Sequence, residues 1–269
     1  MLALNSAGTT SFVQPAEPLR KYITTYYFFE LEAPGGIEQQ DLVHPEWASI
    51  RYVLSGQSRG SFIPDPLEEL AEAVLVGPST RARRIGCVSA RIAGMGITPL
   101  GWFRFLKVKA SLWANKSADV RSKPEFAVFA RIWETIKDLD DYAEMARRMD
   151  EHLLAVMSWP DPREAQVEAL HGLLTNPDFA HVGEMAEALD MDIQQLERLT
   201  RRAFGFSPKR LIRRQRFLRT LAQRLLDPEM KWSAAMDGQY YDQAHFNRDF
   251  KEFMGMNPRE YLAMPRPIS

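Results

Sequence analysis

Two clusters of Gln, Asn and Arg in the last third of the chain have the residue types that recognise nucleic-acid bases. The first holds Gln194, Gln195, Arg198, Arg201 and Arg202, and the second Gln243, Ala244, Asn247, Arg248 and Lys251. Side-chain amides and guanidinium groups form paired hydrogen bonds with purine edges in the major groove, and a small apolar side chain meets a thymine methyl. Between the clusters, residues 198–224 contain no Asp or Glu. They carry ten cations: Arg198, Arg201, Arg202, Lys209, Arg210, Arg213, Arg214, Arg216, Arg219 and Arg224. Such a stretch on a chain of net charge −1 is an electrostatic footprint for a polyanion. Taken alone it is equally a solvated helix face; the base-reading residues on either side favour double-stranded DNA.

These side chains need short helices crossing at a turn. Val182, Met185, Ala186 and Leu189 give one apolar face, and Asp190-Met191 supplies the turn. Asp192 caps the next helix with Gln195 in the capping-box position. Ile193, Leu196, Leu199 and Ala203 or Phe204 are expected to face its core. The second unit repeats the logic. Trp232, Ala235 and Met236 support it, Asp242 caps the reading helix, and Phe246, Phe250 and Phe253 anchor it, with His245 packed or facing phosphate. A single helix over 208–226 is expected to join the units, with a core stripe of Leu211, Ile212, Phe217, Leu218, Leu221 and Leu225.

Ala203-Phe204-Gly205-Phe206-Ser207-Pro208, the basic helix, Tyr241-Asp242-Gln243-Ala244-His245-Phe246-x-Arg248-x-Phe250 and Gly255-Met256-Asn257-Pro258 together resemble the AraC/XylS family of transcriptional regulators. The resemblance covers roughly 182–262. It implies two helix-turn-helix subdomains bridged by a long helix, both reading helices entering successive major-groove segments on one face of DNA. It places base readers at Gln194, Gln195, Arg198, Gln243, Ala244 and Asn247. Three positions depart from the pattern: Gln239 stands where the family has Gly, Asp192 where it often has Ser, and Asn257 where Ser is commoner. The first puts the turn of the second unit at issue.

The N-terminal part, to about residue 115, is expected to be mainly β. Residues 22–31 and 49–54 are strand-like, and 55–60 form a turn-like cluster before 61–63. Residues 91–97 and 102–108 are two further strand candidates flanking Thr98-Pro99-Leu100-Gly101. Phe126, Phe129, Ile132, Trp133 and Ile136, then Tyr142, Met145, Met149, Leu153 and Val156, recur at helical spacing. Trp159-Pro160-Asp161-Pro162 is the candidate linker. The expected class is α+β: a small cupin-like β-barrel with helices over 1–160, then an all-α DNA-binding domain over 161–269. The cupin likeness is looser. It rests on His44-Pro45-Glu46, Leu54-Ser55-Gly56, Gly77-Pro78-Ser79-Thr80 and Gly96-Ile97-Thr98-Pro99-Leu100-Gly101-Trp102, and implies an effector or dimerisation domain without naming a ligand.

Other chemistries find little support. Cys87 is the single cysteine, which excludes an intrachain disulfide and fits a reducing compartment. It is expected to be a small core residue rather than a redox sensor. His44 and Glu46 could begin a metal site, but the other histidines, His152, His171, His181 and His245, lie in the helical half, so no metal and no cofactor is expected. Trp47, Trp102, Phe103 and Trp113 suit an ordinary core or an apolar pocket. No ordered nucleophile and base, phosphate loop or carboxylate pair stands out, so no enzyme is expected. An enzymatic or ligand-binding barrel with a DNA-binding appendage is the alternative. No signal peptide or membrane span is expected, which points to the cytoplasm. Partners are double-stranded DNA and a second copy of the chain paired through helices within 125–157. RNA polymerase and an unnamed small effector are left open.

Overall fold

The computed structural model describes residues 8–157 and 159–264. Among the described residues there are eight strands: β1 (Gly8–Val13), β2 (Ile23–Glu32), β3 (Gln39–Val43), β4 (Ala48–Phe62), β5 (Glu68–Glu69), β6 (Ala73–Val76), β7 (Arg83–Ile97) and, after the first helix, β8 (Ser117–Asp119). They form one antiparallel sheet in the order β1-β2-β7-β4-β6-β8, with β3 also paired to β7 and β5 to β4. Side chains alternate across it. Tyr26 and Phe28 of β2 join the core beneath the helices, whereas Tyr27, Phe29 and Leu31 join Val53, Cys87 and Ile92 on the opposite, inner face.

The 55–60 cluster is not a turn. β4 runs straight through it, its register against β7 shifting between Val53 and Ser55 and again between Gly56 and Ser58. Gly56 sits at φ 74°, where a Cβ would lie 1.9 Å from the Ser89 carbonyl oxygen, so glycine permits the bulge. Residues 102–108 are not a strand either. Thr98 caps α1 (Pro99–Phe105), its Oγ1 accepting from the Gly101 N–H at 3.0 Å, with Pro99 at the first helical position. Every residue of α1 is buried, so its apolar run lacks the periodicity that separates helix from strand.

Among the described residues, nine α-helices follow: α2 (Ala127–Ile136), α3 (Tyr142–Val156), α4 (Glu164–Thr175), α5 (Val182–Ala188), α6 (Ile193–Ala203), α7 (Pro208–Leu226), α8 (Trp232–Ala235), α9 (Gln243–Met254) and α10 (Pro258–Ala263). The apolar stripes of α2 and α3 pack into the core on the outer face of the sheet, apart from Val156 at the end of α3, which is 40% exposed, so most of the faces expected to pair two chains are covered within one. The same core continues through α1 and α4 into α5 and α6, reaching Leu199, Phe204 and Phe206. A second core joins α7, α9 and α10 to Leu42, Ile63 and Ala82 of the sheet half. Where α4 meets the sheet half, the Arg104 guanidinium donates to Glu164 at 2.6 Å and the Tyr22 hydroxyl donates to the same carboxylate at 3.0 Å. Among the described residues, no helix is long and apolar enough to cross a membrane.

Candidate nucleic-acid interface

In the first unit, α5 and α6 meet at Asp190, whose φ of 50° makes the tight turn. Asp192 caps α6: its Oδ1 accepts from the Gln195 N–H at 2.7 Å, and the Gln195 carboxamide oxygen accepts from the Asp192 N–H at 2.9 Å. Leu196, Leu199, Thr200 and Ala203 face inward. That leaves Gln194, Arg198 and Arg201 exposed. Ile193, expected in the core, is 56% exposed: it opens the first turn of α6, at the edge of the buried stripe that starts at Leu196.

Gln195 and Arg202 lie toward the flank of α6. With Arg163, Gln166 and Arg198 they line a groove of about 380 Å³. Arg202 is half-buried, its guanidinium carbon 5.2 Å from the Phe103 ring centroid, while Lys209 is exposed at the start of α7.

In the second unit, α8 is a single turn and Asp242 caps α9, accepting from the His245 N–H at 2.6 Å. Phe246, Phe250 and Phe253 are buried, while Gln243, Ala244, Asn247, Arg248 and Lys251 are exposed. His245 is half-buried against Tyr240 and Arg216. Gln239 does not need a glycine-like backbone: among the described residues, the non-glycines with positive φ are Lys107, Asn115 and Asp190. The Gln239 N–H donates to Asp237, and its side chain donates to the Pro177 carbonyl, tying the second turn to the loop ahead of the first unit.

The basic helix is the main departure from the sequence reading. α7 is buried on nearly all sides, because both units and the sheet pack on it. Several of its arginines are therefore internal. Arg213 and Arg216 grip Asp249 of α9 at 2.6 and 2.9 Å, and Asp249 is 1% exposed. Arg210 and Arg213 hold Glu252, and Arg219 holds Asp237 at 2.6 Å.

Arg214 is fully buried, stacked 3.6 Å over Trp47 and donating to the carbonyls of Ser79 and Glu46. Burial, partly offset by the charge of Glu46, pulls its guanidinium down to about 9. Leu225, placed in the core stripe by its spacing, is 40% exposed, because α7 runs past its partners in its last turn. The exposed cations thus belong to the flanks and reading helices: Arg198, Arg201, Lys209, Arg248 and Lys251.

This internal role escapes the sequence reading, although two features could have flagged it: Asp249 interrupts the buried face of Phe246, Phe250 and Phe253, and the arginines of α7 are too many and too evenly spaced for one exposed face. His44 turns to the Tyr261 hydroxyl at 2.6 Å and Glu46 to Arg51, joining the sheet to the helices and to itself. Cys87 is buried and its thiol is pushed up to about 11, mainly by burial and then by Glu38, which disfavours the thiolate a redox sensor needs.

Residues 185–264 match the family described as "Helix-turn-helix domain". No curated protein matches the chain. ToxT from Vibrio cholerae is similar in structure at 12% identity and a TM-score of 0.45, over 95% of this chain and 98% of its own. A cupin superfamily protein from Desulfitobacterium hafniense is similar at 11% identity and a TM-score of 0.27, over 34% of this chain and 76% of its own. KdgF from a Halomonas species follows at 12% and 0.24, over 34% and 81%. Residues 185–264 are an AraC-type helix-turn-helix domain.

Proposed function

We propose that α6 and α9 read two successive major-groove segments of a specific DNA site. The observation that carries this reading is a polar, exposed stripe on each capped helix, both helices being fixed on α7. Gln194, Arg198 and Arg201 are the base-facing side chains of the first unit, and exposed Ile193 beside them suits a thymine methyl. Gln195 reads with its amide nitrogen, since its oxygen caps the helix. Gln243, Ala244 and Asn247 read in the second unit. Arg202, Lys209, Arg248 and Lys251 hold phosphate, with the groove beside α6 taking one backbone strand.

The chain works in the cytoplasm as a pair of copies on two half-sites, with residues 1–160 as the sensing and pairing unit and 161–269 as the reading unit; RNA polymerase is its partner at a promoter. The test is selection of binding sites from random DNA, followed by Gln194→Ala and Asn247→Ala. Each variant is expected to relax preference in a different half of the selected site. Unchanged selection by both variants would remove the base-reading assignment.

A further inference from the structure

The inner face of the sheet encloses a cavity of about 240 Å³, walled by Phe29, Ile85, Ile92 and Cys87 and bordered by Tyr27 and Arg51. Arg83 follows the same strand alternation as Ile85 and Cys87 and is 2% exposed. None of its three guanidinium nitrogens has a hydrogen-bond partner. Room for it comes from Gly60, where a Cβ would lie 2.5 Å from Arg83 Nη2.

Arg51, beside it, meets Glu46 at 3.6 Å through one nitrogen, and its Nε has no partner. Two guanidinium groups therefore share one carboxylate, leaving one positive charge inside the sheet. A buried cation without a counter-charge is strongly unfavourable. Burial first, and then the charge of Arg51, pulls Arg83 down to about 9 against the opposing pull of Glu46 and Tyr27.

We propose that this interior is a binding site for a small organic monoanion, a carboxylate on an apolar body. The planar fork of Arg83 matches a carboxylate, with Arg51 as second donor. Phe29, Ile85 and Ile92 cover the apolar body, and exposed Phe12 stands at the mouth. The site has a route to the reading helices, a consequence that rests on the regulator reading above. The Glu46 carbonyl accepts from Arg214 of α7, so an anion that takes Arg51 from Glu46 acts on the segment that holds the bridging helix.

The test titrates 3-phenylpropionate and octanoate into the full chain by calorimetry, without DNA, beside 3-phenylpropan-1-ol and 3-phenylpropylamine. Saturable binding of at least one acid, at least tenfold tighter than the alcohol or the amine, is the expected result. Arg83→Met is expected to weaken acid binding at least tenfold. If that variant does not fold, Ile85→Trp, which fills the apolar end away from the arginines, is expected to abolish binding. Equal binding of acid and alcohol, no saturable binding by either acid, or acid binding undiminished in the variant that folds would overturn the proposal. DNA binding by the same preparation is measured separately. DNA binding without acid binding removes this inference alone, and acid binding without DNA binding removes the regulator reading alone.

Discussion

The guanidinium carbon of Arg214 lies 3.6 Å from the ring centroid of Trp47. This one stack joins the helix that carries both reading units to the strand-bearing half of the chain. His171 of α4 packs edge-on against the same ring, and Phe204, at the end of the first reading helix, packs against both. A change in the 44–47 segment therefore reaches α4, α6 and α7 together.

Trp47→Ala is expected to lower stability by at least about 2 kcal/mol, the size of a desolvated cation–π contact. The loss appears as a lower Tm and as faster amide exchange along α7. Unchanged exchange in α7 would mean that the stack does not hold the helix.

Asp249→Ala is expected to cost roughly 3–5 kcal/mol, because it leaves Arg216 buried without its carboxylate and removes the clamp of Arg213 on α9. Thermal unfolding reads this loss. A variant as stable as the parent would show that Asp249 is dispensable to the second unit.

Arg198→Ala is expected to cost about 1–3 kcal/mol at one base position and to relax preference there. Lys209→Ala is expected to weaken all sequences alike and to flatten the salt dependence, since a phosphate contact releases counterions. Affinities for a set of single-base variants at two salt concentrations separate the two behaviours. Uniform loss in Arg198→Ala would reassign it to phosphate.

His171 contributes one part of the pH response, beside His152, whose pKa burial also lowers. Burial first, and then the charge of Arg214, lowers the His171 pKa below the ordinary value. The native state thus binds this proton less readily than the unfolded chain. The resulting stability is full above about pH 6.5 and is lost as pH falls from there through the native value. His171→Phe is expected to flatten the fall of Tm between pH 7 and 5. Parallel Tm curves for parent and variant would contradict this.

The reading helices were legible because their cues are local. Asp192 and Asp242 are caps at a readable spacing from the apolar rows, and Phe246, Phe250 and Phe253 mark one face without ambiguity. What depends on tertiary placement was not legible. The cations of α7 looked like one basic surface because a sequence does not show that a helix is enclosed on most sides; Arg213, Arg214 and Arg216 face an acid of α9 and carbonyls of distant loops. Residues 102–108 looked like a strand because burial all round α1 erased its period. The 55–60 cluster looked like a turn because Gly56 signals a bulge and a loop alike. Nothing local in the sequence marks Arg51 and Arg83, since only their shared enclosure makes them unusual.

The most direct test is a footprint of the purified full chain on fragmented genomic DNA at two salt concentrations. Two working reading units predict a recurring motif with two contacted segments about one helical turn apart, roughly 10 base pairs. Each contact weakens as salt rises. A single contacted segment, or salt-sensitive binding with no motif, would contradict the claim that α6 and α9 both read sequence.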